Sequence, residues 1–91
     1  GGIVQGLSAV LGEAVGIADG GAQERNFDTY QVLRIADAPG HIETIVIESG
    51  EPMGGVGEPP LPPLAPAVVN ALVALTGRAI CELPLSRHRF A

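Results

Sequence analysis

The stretch from residue 50 to residue 63 constrains the fold most, because Gly and Pro cluster there too densely for a helix or a strand. Proline fixes φ and removes a backbone donor, whereas glycine permits conformations and close approaches that a Cβ forbids. We therefore expect a loop of fixed shape here. The loop separates a longer N-terminal part of the chain from a shorter C-terminal part.

The pattern before this loop predicts a helix, a hairpin and a strand. Apolar residues between Ile3 and Leu11 recur at helical spacing, so residues 2–12 are predicted to form a helix, and the small residues between them allow close packing. The turn signal Asp19-Gly20-Gly21 predicts a hairpin within residues 14–26. A short helical turn is expected at residues 31–35, and the β-branched alternation of residues 41–48 predicts a strand.

A second helix is predicted after the loop, from an apolar face formed by Leu64, Val68, Leu72 and Leu75. Pro66 suits its first turn and Gly77 suits its end. The tail, residues 78–85, is expected to add one short strand. This order of elements predicts the α+β class, with two helices packed on one face of a small, mainly antiparallel sheet, in a single small domain over residues 1–91.

Composition narrows the class of protein. Only 3% of the residues are aromatic while 46% are hydrophobic, so a core has to be thin and aliphatic. The net charge is -5 and all basic residues are Arg, so a nucleic-acid partner is not expected. The chain has no apolar run of ~20 residues and no basic signal-peptide start. The beginning at Gly1-Gly2, without an initiator Met, is expected of a fragment of a longer protein.

The single cysteine offers no disulfide and no metal site. Cys81 has no second Cys and no His at a zinc spacing, so a buried, inert thiol is predicted. His41 and His88 are expected at the surface or satisfied by neighbours, not as metal ligands. Ser8 has no base at a known nucleophile spacing, and Tyr30 is predicted to belong to a turn.

Glu58 is the candidate catalytic residue. Glycines precede it and Pro59-Pro60 follows it, so its carboxylate is framed by a stiff segment just before a helix, as a general base requires. Spacing alone is also typical of an acidic residue that merely stabilises a helix N-terminus. A phosphate-binding loop is not supported, because no Lys with a following Ser or Thr comes after the last Gly.

Four stretches taken together resemble a known family. They are Gly1-Gly2-Ile3-Val4-Gln5-Gly6-Leu7-Ser8, then Asn26-Phe27 with Tyr30 and Leu33-Arg34, then Gly55-Val56-Gly57-Glu58-Pro59, and then Pro66-Ala67 with Asn70-Ala71. In this order they are similar to the C-terminal end of the large, molybdenum-binding subunit of the xanthine oxidase family. The resemblance is to the isoquinoline 1-oxidoreductase and membrane-associated aldehyde dehydrogenase type, and it is most specific at Gly57-Glu58-Pro59-Pro60-Leu61.

The resemblance implies a function and a site. Glu58 would be the general base of a molybdenum hydroxylase that hydroxylates an N-heteroaromatic compound or oxidises an aldehyde, with water as the oxygen source. Gly54, Gly55 and Gly57 would lie close to the cofactor, a molybdenum-pyranopterin cytosine dinucleotide. The chain would then be a C-terminal fragment of a larger molybdopterin-binding domain, and inactive by itself.

The resemblance also implies partners. These are the rest of the large subunit, a small iron–sulfur subunit with 2Fe-2S clusters, and a small-molecule substrate. Relatives of this type are often periplasmic, which favours the periplasm over the bacterial cytoplasm.

A different class of protein also fits the residues. The chain could be a stand-alone α+β interaction module, without catalytic activity, whose rigid Gly/Pro loop binds a peptide or a partner surface. Self-association through apolar faces that a larger protein would cover is expected of a fragment expressed alone.

Overall fold

The structure, a computed structural model, describes residues 1–90 and confirms the predicted α+β class. Its elements in chain order are α1 (Gly2–Leu11), β1 (Ile17–Ala18), β2 (Gly21–Ala22), a 3-10 helix (Ile35–Asp37), α2 (Leu61–Thr76) and a second 3-10 helix (Leu85–Arg87). The two strands pair antiparallel. The two long helices pack against each other.

The packing of α1 on α2 depends on glycine. A Cβ at Gly6 would lie 2.8 Å from Cδ2 of Leu64 and 3.3 Å from Cδ2 of Leu61. Gly2 lies one turn earlier, on the same face of α1, and also meets the start of α2. The close packing predicted from the small residues of α1 is therefore confirmed.

Helix α2 begins at Leu61, earlier than the predicted helix. Pro62 and Pro63 occupy its first turn, where missing N–H groups cost little, and Pro66 lies inside the helix instead of in the first turn. Gly77 ends the helix as predicted, with φ 69° and its N–H donating to the Val73 carbonyl over 2.8 Å. No helix within residues 1–90 combines the length and apolar character needed to cross a membrane.

The hairpin forms where the turn signal predicted it. Asp19 and Gly20 have φ values of 50° and 75°, as a two-residue turn of the mirror-image type requires. This turn sets the register, in which Ile17 pairs with Ala22. Each strand has only two residues, and both are exposed, so the hairpin contributes little to the core.

The predicted strand over residues 41–48 is wrong for the isolated chain. All residues from 40 to 56, here called the open segment, are exposed. Ile45, Val46 and Ile47 keep 80%, 82% and 83% of their surface accessible. The alternation of residue types describes a surface that suits a sheet, but a strand also needs a hydrogen-bonding neighbour, and residues 1–90 supply none.

The core is as thin as the composition predicts. Val10 and Leu85 are the buried hydrophobic residues of the described chain, 3% and 4% exposed. Leu85 belongs to the second 3-10 helix, which packs on α1. The strand predicted for residues 78–85 is wrong: Pro84 cannot donate to a ladder, and the chain turns there instead. The helical turn predicted at residues 31–35 is displaced to Ile35–Asp37.

The chain leaves far more surface open than a self-contained domain does. Its accessible surface is 7327 Å². A compact protein of this mass would expose roughly 5,000 Å². The radius of gyration is 16.1 Å, whereas a compact chain of this length would have about 12 Å. Much of the surface is therefore of the kind that a neighbouring structure covers.

Candidate active-site loop

The backbone at Glu58 is fixed to the start of α2. Its carbonyl accepts a hydrogen bond from the Leu61 N–H over 2.9 Å, which closes the turn through Pro59 and Pro60. These two prolines restrict φ at the only residues between Glu58 and the helix. The position of the Glu58 Cα is therefore tied to a sixteen-residue helix.

The other side of the loop rests on α1. The carbonyl oxygen of Gly57 lies 2.5 Å from the place where a Cβ on Gly2 would be, and Cγ of Pro60 lies 3.3 Å from it. A side chain at position 2 would collide with the backbone of the loop. The first turn of α1 and the first turn of α2 thus hold the residues on either side of Glu58.

The Glu58 carboxylate is free of the rest of the described chain. Within residues 1–90 it accepts no hydrogen bond, and α2 has no side-chain cap. Pro62 and Pro63 remove two of the N–H donors that a helix N-terminus would offer to an acidic side chain. The alternative role, in which Glu58 caps the helix by a hydrogen bond, is therefore not supported by the geometry.

Space is open around the glycines that precede Glu58. A Cβ placed on Gly54, Gly55 or Gly57 would meet no atom of the described chain within 4 Å. Positive φ does not account for these glycines either, since Gly50 is the residue of this stretch that has it, at 78°. The loop can therefore be approached closely from outside the chain. That these glycines bind a cofactor stays a prediction.

A polar cluster beside α1, formed by Ser8, Glu13 and Tyr30, was not predicted from the sequence. Ser8 accepts a hydrogen bond from the Leu33 N–H over 2.8 Å and donates its own proton to Glu13. The other carboxylate oxygen of Glu13 accepts a 2.6 Å hydrogen bond from the Tyr30 hydroxyl. The spacing of these residues matches no known motif, so only the tertiary fold reveals that they meet.

The cluster is a latch between α1 and the segment that follows the hairpin. The hydrogen bond to Glu13 raises the pKa of Tyr30 above its ordinary value, and desolvation and the negative charge of Glu13 raise it further. Ser8 is only 7% exposed and its oxygen accepts the Leu33 N–H, so the hydroxyl is neither accessible nor free to act as a nucleophile. The Tyr30 N–H donates to the Asn26 carbonyl over 2.8 Å, so Tyr30 belongs to a turn, as predicted.

The histidines are located as predicted, but the cysteine is not. His41 is exposed, and a ring nitrogen of His88 lies 2.7 Å from the Glu82 carbonyl. Cys81 is exposed, so the predicted buried thiol is wrong: the tail in which it lies has no second layer to cover it. Within residues 1–90, no three His, Cys, Asp or Glu side chains are grouped as a metal site would require.

Sequence comparison relates the chain to large oxidoreductase subunits, although no family model matches it. It is 40% identical over 85 residues to the isoquinoline 1-oxidoreductase subunit beta of Brevundimonas diminuta, a match that covers 93% of the chain. It is 38% identical over 80 residues to a membrane-bound aldehyde dehydrogenase (pyrroloquinoline-quinone) of Gluconacetobacter polyoxogenes, covering 88%. It is 33% identical to a putative xanthine dehydrogenase molybdenum-binding subunit of Escherichia coli, covering 98%.

These similarities confirm the predicted relationship. The relatives are oxidoreductases. The chain belongs to the molybdenum-binding subunits of the xanthine oxidase family, of the isoquinoline 1-oxidoreductase and membrane-associated aldehyde dehydrogenase type. The chain spans only 11%, 10% and 13% of the length of these three relatives. It therefore corresponds to a small part of such a subunit.

Proposed function

We propose that this chain is the C-terminal part of a molybdenum hydroxylase subunit and that Glu58 is the general base of the reaction. The observation that carries the proposal is the state of Glu58: its backbone is held on both sides, while its carboxylate is exposed and accepts no hydrogen bond within residues 1–90. A base needs a fixed position and a free lone pair. The held backbone and the free carboxylate of Glu58 support this proposal.

The open glycines suit the cofactor that the family relationship suggests. A methyl group at Gly54, Gly55 or Gly57 would fill space that is empty on the protein side, so these positions allow a large ligand to lie against the backbone. The bound molybdenum cofactor would supply the oxidising centre and accept the electrons. The cytosine dinucleotide form, and a partner with 2Fe-2S clusters that carries the electrons away, belong to the same proposal.

The role of Glu58 in the reaction is to accept a proton at a carboxylate oxygen. Removing a proton from the water-derived oxygen makes that oxygen the better nucleophile. Pro59 and Pro60 limit the backbone freedom next to the base, so less backbone entropy is lost when Glu58 is positioned for the reaction. The glutamate would therefore contribute through its basicity and through the fixed placement of its backbone.

The decisive variant is Glu58→Gln in the complete enzyme. The amide keeps the size of the side chain but cannot accept the proton, so we expect kcat to fall by about 100- to 10,000-fold. Molybdenum content should stay near that of the parent. Glu51→Gln is the matched control, because Glu51 lies in the same exposed loop and has the same charge. Turnover of Glu58→Gln equal to that of the control would refute the assignment.

The cofactor and the substrate class are tested separately. One relative has a name that specifies molybdenum, and another has a name that specifies pyrroloquinoline quinone. We propose molybdenum, and expect elemental analysis of the complete subunit to find it, with CMP released when the extracted cofactor is hydrolysed. Turnover assays with isoquinoline and with an aliphatic aldehyde would distinguish the two substrate classes. Finding the quinone in place of molybdenum would overturn the cofactor proposal.

The interaction-module alternative makes the opposite prediction. A stand-alone module would have no upstream cofactor-binding segments in its reading frame. The similarity argues against it, because 93% of the chain matches a part of an oxidoreductase subunit, including the loop around Glu58.

A further inference from the structure

The middle of residues 41–48 has the composition of a strand that is covered on both faces. Successive side chains of an extended backbone point to opposite sides, so Val46 faces away from Ile45 and Ile47. All three are large and apolar, and each is at least 80% exposed. A strand with one solvated face would alternate apolar and polar residues, whereas a central strand is apolar on both faces. Ile45, Val46 and Ile47 therefore match a strand that is apolar on both faces.

The backbone of the segment also lacks partners. Within residues 1–90, none of its N–H or C=O groups makes a hydrogen bond to another part of the backbone. Covering its side chains would remove these groups from water as well, and a buried backbone group without a hydrogen-bonding partner is destabilising. Anything that covers the segment therefore has to supply hydrogen-bonding strands along its edges.

We propose that residues 41–48 form a strand in a sheet contributed by the remainder of the molybdenum-binding subunit. This inference rests on the proposed function only in naming that subunit as the partner. The charge of the segment defines the partner further. Glu43 and Glu48 lie here, and the chain has no Lys or Arg between Arg34 and Arg78. The facing surface therefore carries basic side chains beside an apolar centre.

A second copy of the chain fits this surface less well. Two copies would bring two acidic segments together without a basic residue in either. The exposed area is also larger than a standard interface covers: the chain shows 7327 Å², about 2,300 Å² above the compact value. A standard interface covers only about 800 Å² per partner. The remainder of a subunit of which this chain spans 11% is large enough to cover it.

Amide hydrogen exchange tests the inference directly. In the complete subunit, peptides that cover residues 41–48 should exchange at least about 100-fold more slowly than in the isolated chain, since ladder hydrogen bonds protect amides. Ile45→Lys should then lower the yield of the assembled subunit, and Ile17→Lys, at a hairpin position that is 71% exposed, is the matched control.

Each outcome decides one point. Fast exchange of residues 41–48 in the complete subunit would overturn the inference. If the amides of residues 41–48 exchange slowly in the isolated chain, and more slowly as its concentration rises, the inference would also be overturned. The strand partner would then be a second copy of the chain. Protection in the complete subunit together with full activity of Glu58→Gln would leave the strand standing and remove only the proposed catalytic role.

The contact between Gly2 and the loop supports an independent inference that also rests on the proposed role of Glu58. A Cβ at position 2 would lie 2.5 Å from a backbone oxygen, that of Gly57, which cannot turn aside as a side-chain end can. We infer that Gly2 is a positioning residue, which sets the distance between α1 and the loop and thereby places Glu58. Any larger residue has to displace the backbone next to the base.

The test is Gly2→Ala in the complete enzyme. A displacement of the base by roughly 1 Å can cost about 100-fold in rate, so kcat should fall 10- to 100-fold by this estimate while KM changes little. Gly12→Ala is the matched control, because a Cβ there meets nothing within 4 Å. Unchanged kcat in Gly2→Ala would overturn the inference.

The double variant separates positioning from general destabilisation. If Gly2 acts through Glu58, then Gly2→Ala with Glu58→Gln should be no slower than Glu58→Gln alone, because the base is already lost. A further 10-fold loss in the double variant would show that Gly2 acts elsewhere. An active Glu58→Gln variant would refute the proposed role of Glu58 as the base. The single variant Gly2→Ala does not test that role.

Discussion

The helix pair and the open segment differ in where their partners lie. Helices α1 and α2 bury their contacts within the chain, through Gly6 and Leu64 and through Leu85 on α1. The open segment, residues 40–56, is exposed throughout. Yet both regions have clear apolar patterns in the sequence. A pattern therefore shows that a surface has to be covered, and the fold alone shows whether the covering structure belongs to the same chain.

Leu85→Ala, which tests the packed part of the chain, should lower the free energy of unfolding most, whereas substitutions in the open segment should change it little. Leu85 is 4% exposed, and truncating a buried Leu costs about 2–5 kcal/mol. We expect a loss near the lower end of that range, because the core is thin and its neighbours can relax. Urea unfolding of the chain followed by circular dichroism would measure it. A loss below about 1 kcal/mol would mean that Leu85 is not part of a packed core on α1.

Gly77→Ala should have the next largest effect. The residue ends α2 with φ 69°, a left-handed conformation that costs an alanine about 1 kcal/mol. A Cβ there would meet no atom within 4 Å, so the effect should come from the backbone alone. Gly12→Ala, at a negative φ of -149°, is the control and should be nearly neutral. Equal effects of the two variants would contradict the assigned helix end.

The latch of Ser8, Glu13 and Tyr30 should contribute less to the stability of the chain, and its contribution should depend on pH. The pKa of Tyr30 is raised in the folded chain, so the latch stabilises fully below the ordinary value of 10.0 and is lost as the pH rises through the folded value. Tyr30 is the only Tyr and the chain has no Trp, so phenolate absorbance reports on this residue alone. Glu13→Gln should lower its pKa. An unchanged titration in that variant would refute the latch.

Ile47→Ala in the isolated chain should have the smallest effect. The side chain is 83% exposed, and surface substitutions of this kind stay within about 0.5 kcal/mol. The same substitution in the complete subunit should be costly if the segment is a covered strand. A large loss in the isolated chain would show that the open segment has a partner there after all, and the comparison would fail.

The parts of the fold that were predicted correctly depend on neighbouring residues in the sequence. The spacing of Ile3 to Leu11 predicted α1, and Asp19-Gly20 predicted the hairpin turn. The strand over residues 41–48 was predicted from an equally clear pattern, but it needs neighbours that residues 1–90 do not contain. Local pattern was a sufficient guide only where the hydrogen bonds are also local.

In the candidate site too, local sequence predicts some features and not those that depend on distant residues. Glu58 was selected through the family resemblance, because its spacing before a helix is equally typical of a structural role. The contact of Gly2 with Gly57 and the hydrogen bond of Tyr30 to Glu13 join residues far apart in sequence, so no local pattern could predict them.

The contact between Gly2 and Gly57 also bears on the order of folding. Closing a loop between positions this far apart has an entropic cost that grows with the length of the loop. The turns of α1 and α2 form from neighbouring residues and have no such cost, so they should form earlier. We therefore expect the candidate base to reach its place only after both helices exist, which makes the loop one of the last parts of this chain to become ordered.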